Sequence, residues 1–184
     1  MTLSAHKMYG PKGIGALYVR HIKTIAPCLT GGGQEFGLRS GTENVPSIVG
    51  FARAAALAEK NREKESARVL DLKKYFWKEI QNIFPHAQVN GSSNFQKSLP
   101  HILNIYFPGK NAEEMLIDLD IRGVAVSSGA ACSMRSQKPS HVLLAIGYSE
   151  TRARQSLRFS FGKYTTVQEI QKTIEIMRAL LKMS

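Results

Sequence analysis

Apolar positions along the 184-residue chain recur in two rhythms. Between Ser66 and Ile83, the residues Val69, Leu72, Phe76, Ile80 and Ile83 step by three or four. That spacing puts them on one helical face, and Pro85 ends the run because proline has no amide to continue the ladder. A separate helix is predicted from Ser47 to Lys64, alanine-rich and carrying Ile48, Phe51 and Ala55. A shorter one spans Ala112–Asp120, with Met115, Leu116 and Leu119 on one side, and two brief ones cover His141–Ile146 and Glu150–Gln155. Thr166 and Glu169 have capping-box spacing and open a last helix with Ile170, Ile174, Met177 and Leu181 on its buried side. The second rhythm is alternation. "SLRFSF" (Ser156–Phe161) alternates like a strand, and "HILNIYF" (His101–Phe107) reads as a strand followed by a "PGK" turn. Ile14–Val19 and Gly123–Val126 are expected as short strands. Pro27–Pro46, with five glycines, keeps neither rhythm and reads as loop. Helices and strands intermix without repeats, so the fold class is α/β. The boundary is placed near Val45, dividing residues 1–45 from a small α+β domain at 46–184.

Composition narrows the class. A hydrophobic content of 43% with 21% charged residues supports a packed core rather than disorder. The two cysteines, Cys28 and Cys132, match no zinc spacing and no disulfide framework, so no metal is expected and a reducing compartment is the simpler reading. No 18-residue apolar run suggests a membrane span, and "MTLSAHKMYGPKG" lacks the apolar centre of a secretory signal. The net charge of +11 suits nucleic acid, an acidic partner or an anionic cofactor. Its basic residues are scattered and not interleaved with aromatics, which argues against nucleic acid.

Candidate chemistry starts at Lys7, which follows Ser4 and His6 and precedes a Gly-Pro-Lys-Gly turn. A lone lysine there is usually a surface residue. With a hydroxyl and an imidazole beside it, its amine also suits a carbonyl cofactor carrying a phosphate. "RSGT" (Arg39–Thr42) is a second turn rich in backbone donors. Arg158, within "SLRFS", fits a strand-end ion pair or a bidentate grip on a carboxylate. Cys132, after Ser127, Ser128, Gly129, Ala130 and Ala131, fits a small buried apolar residue or a nucleophile on a lightly packed segment with much backbone freedom. Arg135 and Lys138 are its candidate cationic neighbours. His141 reads as a helix-start histidine, and Cys28 as structural filling.

Six stretches carry a resemblance: "SAHKMYGPKGIGALYVR", "GGGQEFGLRSGTENVPSIVGFARAA", "LPHILNIYFPG", "VAVSSGAACS", "KPSHVLLAIG" and "SLRFSFGKYTT". In order and spacing they resemble the pyridoxal-phosphate (PLP) enzymes of the cysteine desulfurase family, within aminotransferase class V and fold type I. The resemblance implies that Lys7 carries the cofactor and that Ser4 and His6 contact its phosphate. It implies that Thr42 reaches the phosphate in the neighbouring subunit and that Arg158 holds the substrate carboxylate. Cys132 then takes sulfur from L-cysteine as a persulfide, leaving L-alanine. Phe36 stands in "GGGQEFG" where relatives usually have arginine.

In that family the lysine motif lies near mid-chain, whereas here it begins at residue 4. The resemblance therefore covers the C-terminal half only. The resemblance implies that the N-terminal half of the large domain is missing here, with residues 1–45 expected as its remnant. The expectation is that the isolated chain has little or no desulfurase activity, and that residues 1–45 are poorly ordered or held by another chain. The implied partners are L-cysteine, a sulfur-acceptor or iron–sulfur scaffold protein and a second copy in a homodimer, without nucleic acid or membrane. The implied location is the cytoplasm, with organellar targeting left open. Two other readings accompany this one: a selenocysteine lyase, and a non-catalytic module that docks on a sulfur acceptor.

Overall fold

A computed structural model describes residues 1–21, 25–129 and 139–182. They form two compact units, Met1–Arg62 and Glu63–Ser184. One helix, α1 (Val45–Ile83), contributes residues to both.

The first unit opens with an antiparallel hairpin of β1 (Thr2–Ser4) and β2 (Gly15–Leu17), in which Thr2 faces Leu17 and Ser4 faces Gly15. A 3-10 turn, Ala5–Met8, follows β1 directly. The Ala5 amide donates to the Ile14 carbonyl at 3.1 Å, and the Gly10 amide donates to the Ala5 carbonyl at 2.9 Å. Tyr9 adopts a left-handed conformation (φ 63°) to make that return. Gly10 is required by space: a Cβ there would sit 3.0 Å from the Ala5 carbonyl oxygen and 3.1 Å from the Ala54 Cβ. Residues 25–44 form the expected loop, broken by a 3-10 turn at Glu35–Gly37. Asn44 then closes the start of α1, its side chain accepting from the Ser47 amide at 3.3 Å. Among the described residues of this unit the buried apolar side chains are Ala5, Phe51 and Ala54.

The second unit holds the main core. Its sheet runs β3 (Gln88–Val89), β4 (Ile102–Tyr106) and β5 (Ser156–Ser160), antiparallel with β4 central. Alternation along β4 buries Leu103 and Ile105, and along β5 it buries Leu157 and Phe159. The C-terminal part of α1, α2 (Ala112–Ile121) and α5 (Val167–Lys182) supply most of the remaining core residues, and Ala87, Phe107 and Phe161 beside the strands complete it. Val69, Leu72, Phe76 and Ile80 are buried, and the Phe76 ring lies 4.8 Å from that of Phe159 and 5.9 Å from that of Phe161. In α5 the expected set, Ile170, Ile174, Met177 and Leu181, is buried. Its capping box is formed: the Glu169 amide donates to Thr166 Oγ1 at 3.2 Å and the Thr166 amide donates to Glu169 Oε2 at 2.8 Å. The short helices α3 (His141–Ala145) and α4 (Glu150–Arg154) start at the serine caps Ser140 and Ser149. His141 is indeed a helix-start residue, and it is exposed.

Two expectations are corrected. The helices predicted at 47–64 and 66–83 are one continuous α1. Nothing at Lys64–Ser66 breaks a helix, and the i,i+3 pairs Glu59–Arg62 and Glu65–Arg68 flank that point. Gly123–Val126 is not a strand. The end of α2 claims the amides that a strand would need, with Gly123 donating to the Asp120 carbonyl and Val124 to the Leu119 carbonyl. Regular pairing appears only at Ser127, as a bridge to Arg158.

Candidate active site

The 3-10 turn and its cap bring Ser4, His6 and Lys7 onto four consecutive residues. Ser4 occupies the cap position in extended conformation, and its half-buried side chain makes no capping hydrogen bond. Its hydroxyl is therefore not spent on the turn. His6 and Lys7 are exposed, while Ala5, just before them, is fully buried. Burial of the alanine fixes the turn and leaves the imidazole and the amine that follow it outside. Thr42, also exposed, follows Gly41, which has a φ of 112°. The loop before it is tied by Ser40 Oγ donating to the Gly32 carbonyl at 2.8 Å and by the Gly41 amide donating to Gln34 Oε1 at 3.2 Å.

In the second unit Arg158 lies at the middle of β5. Its amide donates to the Ser127 carbonyl at 2.7 Å, and the Ser127 amide donates back to the Arg158 carbonyl at 3.2 Å. The guanidinium Nη1 donates to the Gly129 carbonyl at 3.2 Å. Nε is buried with no partner among the described residues. An ion pair for Arg158, one of its two readings, does not occur among the described residues. Lys7 and Arg158 belong to different units. Cys132, with Ala130, Ala131, Arg135 and Lys138, lies outside the described residues.

Ser127 was expected to be lightly packed with a free backbone. It is 6% exposed and hydrogen-bonded through backbone and hydroxyl. The bridge spans 31 positions in sequence (158 minus 127), so no local pattern announces it. Cys28 was expected to fill space, but it is exposed on the glycine-rich loop. Another unannounced feature is Lys73, which reads as a solvated residue of α1 and is 1% exposed. Its Nζ donates to Ser98 Oγ at 2.8 Å and to the Leu99 carbonyl at 2.9 Å, and sits 4.6 Å from the Phe95 ring centre. Burial lowers its pKa below the usual lysine range. His101 is also pulled down, first by burial and then by the charge on Lys73.

The donor set can be tested for fit to PLP by its chemistry. A primary amine, an uncommitted hydroxyl and an imidazole share one turn, and a threonine hydroxyl stands on an exposed loop. These suit an aldehyde bearing a phosphate. Among the described residues no cluster of three or more histidine, cysteine or acidic side chains would suit a metal. No helix among them is long and apolar enough to cross a membrane.

Residues 1–173 match the family described as aminotransferase class-V. The chain belongs to that family. Aminotransferase class-V enzymes and their cysteine desulfurase members depend on PLP. Over 182 residues, 99% of its length, the chain is 40% identical to the cysteine desulfurase IscS of Dictyoglomus turgidum and covers 46% of that protein. It is 45% identical over 179 residues, 96% of its length, to the cysteine desulfurase IscS of an Anaeromyxobacter species, covering 43% of it. Among solved structures, a NifS-like protein superposes with a TM-score of 0.86 at 33% identity, over 100% of this chain and 46% of that one. The expected α/β fold of a PLP-dependent transferase is therefore the fold observed. The chain spans about half the length of the curated relatives it matches.

Proposed function

We propose that this chain contributes the lysine, the sulfur-accepting cysteine and the carboxylate-holding arginine of a PLP-dependent cysteine desulfurase. The observation that carries the reading is the single turn bearing Ser4, His6 and Lys7, in a chain aligned end to end with enzymes of that name. Bound PLP supplies an electron sink for the substrate amino acid. Lys7 would hold the cofactor through its amine, and Ser4 and His6 would face its phosphate. Thr42 would reach the phosphate in a second copy of the chain, making the working unit a homodimer. Arg158 would orient L-cysteine by its carboxylate. Cys132, as thiolate, would attack the substrate sulfur. The C–S bond breaks, an S–S bond forms on Cys132, and the carbon skeleton gains a proton and leaves as L-alanine. No external oxidant is needed, because the C–S electron pair stays with the carbon, which is reduced to C–H as the two sulfurs become a persulfide. The persulfide then passes to an acceptor such as an iron–sulfur scaffold protein. The net charge of +11 favours an acidic acceptor.

Two measurements test this. In the first, this chain replaces the matching part of the Dictyoglomus turgidum relative. The chimera is expected to release L-alanine from L-cysteine and to gain one sulfur atom on Cys132, seen by peptide mass. Lys7→Ala is expected to abolish both. A folded chimera that holds PLP yet never sulfurates Cys132 refutes the reading. In the second, the isolated 184-residue chain receives PLP and L-cysteine, and turnover far below that of the chimera is expected. A parallel assay with L-selenocysteine separates a selenocysteine lyase, which would work on the selenium substrate only.

A further inference from the structure

This inference deepens the reading of Arg158 as the carboxylate-binding residue and rests on it. Among the described residues the Arg158 guanidinium makes one hydrogen bond, from Nη1 to the Gly129 carbonyl. Its buried Nε has no partner there, so nothing else described along β5 aims the head group. A guanidinium presents five donors in a rigid plane. One anchored corner aims that plane only if the anchor is itself held.

Ser127 holds it. The hydroxyl of Ser127 donates to the same Gly129 carbonyl at 2.9 Å, and the Gly129 amide donates to the hydroxyl at 3.4 Å. The Ser127 backbone exchanges both hydrogen bonds with the backbone of Arg158. One buried serine thus grips the strand that carries the arginine and the carbonyl that aims its tip. Alanine would keep the backbone bridge and release the carbonyl. Threonine would keep both.

We propose that Ser127 is a positioning residue for Arg158, acting through the Gly129 carbonyl to present the remaining guanidinium N–H groups to a ligand carboxylate. Its effect falls on carboxylate affinity.

The test uses the full 184-residue chain with 15N-labelled arginine, observing the side-chain Nε–H signals. Arg158→Lys assigns the Arg158 signal by its loss. Acetate and L-alanine are the probes. Ser127→Ala is expected to shift or broaden the Arg158 signal and to weaken probe binding about three- to tenfold, the scale of one hydrogen bond. Ser127→Thr is expected to restore both. The proposal is overturned if Ser127→Ala leaves the Arg158 signal in place, if threonine fails to restore it, or if alanine disturbs the backbone amides of the whole second unit alike. Should the wild-type chain take up neither probe, the carboxylate reading of Arg158 falls. The response of the Nε–H signal to Ser127→Ala still decides the positioning role.

Discussion

The two units hold their candidate residues by different means. In Met1–Arg62 the lysine turn is fixed by backbone hydrogen bonds, one buried alanine and a close approach at Gly10. Large apolar side chains elsewhere in that unit are exposed, including Leu17, Tyr18 and Phe36, the last at 88%. In Glu63–Ser184 Arg158 stands on a strand whose neighbours Leu157 and Phe159 are buried in an aromatic and aliphatic core. Apolar burial dominates stability, so the second unit has the means to fold and the first has few. A residue presented by local hydrogen bonds is cheap to place, but its surroundings must come from elsewhere.

The largest expected effect breaks the stronger side of this contrast. Phe76→Ala removes the ring packed against Phe159 and Phe161 and is expected to cost about 3–5 kcal/mol, read by urea denaturation. A loss below about 1 kcal/mol would mean that the core is not where the second unit keeps its stability.

Arg68 comes next. It donates to Glu65 and to the carbonyls of Gly162, Lys163 and Thr165, tying α1 to the turn that precedes α5. Arg68→Ala is expected to cost about 1–3 kcal/mol by leaving those acceptors short of a donor. Arg68→Lys should recover only part of it, because one ammonium cannot reproduce the fork.

Gly10→Ala probes the weaker side. The added methyl crowds the Ala5 carbonyl and Ala54, and a strain of about 1 kcal/mol is expected within the first unit. Amide exchange should quicken around Ala5–Gly10 while the core amides of β4 and β5 keep their protection. Equal loosening of both would erase the distinction between the units.

The smallest effect is electrostatic. The folded pKa of His101 lies below 6.5, so the unfolded chain binds more protons in the window between the two values. Its contribution is present above pH 6.5 and lost as pH falls through the folded value. The urea midpoint is expected to decline on that acidic side, and His101→Gln should flatten the decline. Lys73 has the same sign at the alkaline end: stability rises as pH climbs from its lowered folded value toward 10.5.

What the sequence made legible was local or carried by resemblance. The buried face of α5 and its capping box depend on residues three or four apart, the alternation of β5 on residues two apart, and each is readable. The continuity of α1 was not, because Lys64–Ser66 is polar all round and polarity there marks a solvated face, not a break. The stretch Gly123–Val126 looked like a strand by composition, but hydrogen bonding at the end of α2 had already used its amides. Lys7, Thr42 and Arg158 were picked out by motif order, since their residue types alone allow ordinary surface roles. The clasp of Ser127 on Arg158 was invisible, because it depends on a pairing that no short window contains.

Lys73 has a practical consequence. Lacking a carboxylate partner among the described residues and shielded by Phe95, Ser98 and Leu99, it should be skipped by amine-reactive reagents while exposed lysines such as Lys7 are acylated. Its labelling would then time each opening of the second unit, a stopwatch already wired into the interior and needing no engineered probe.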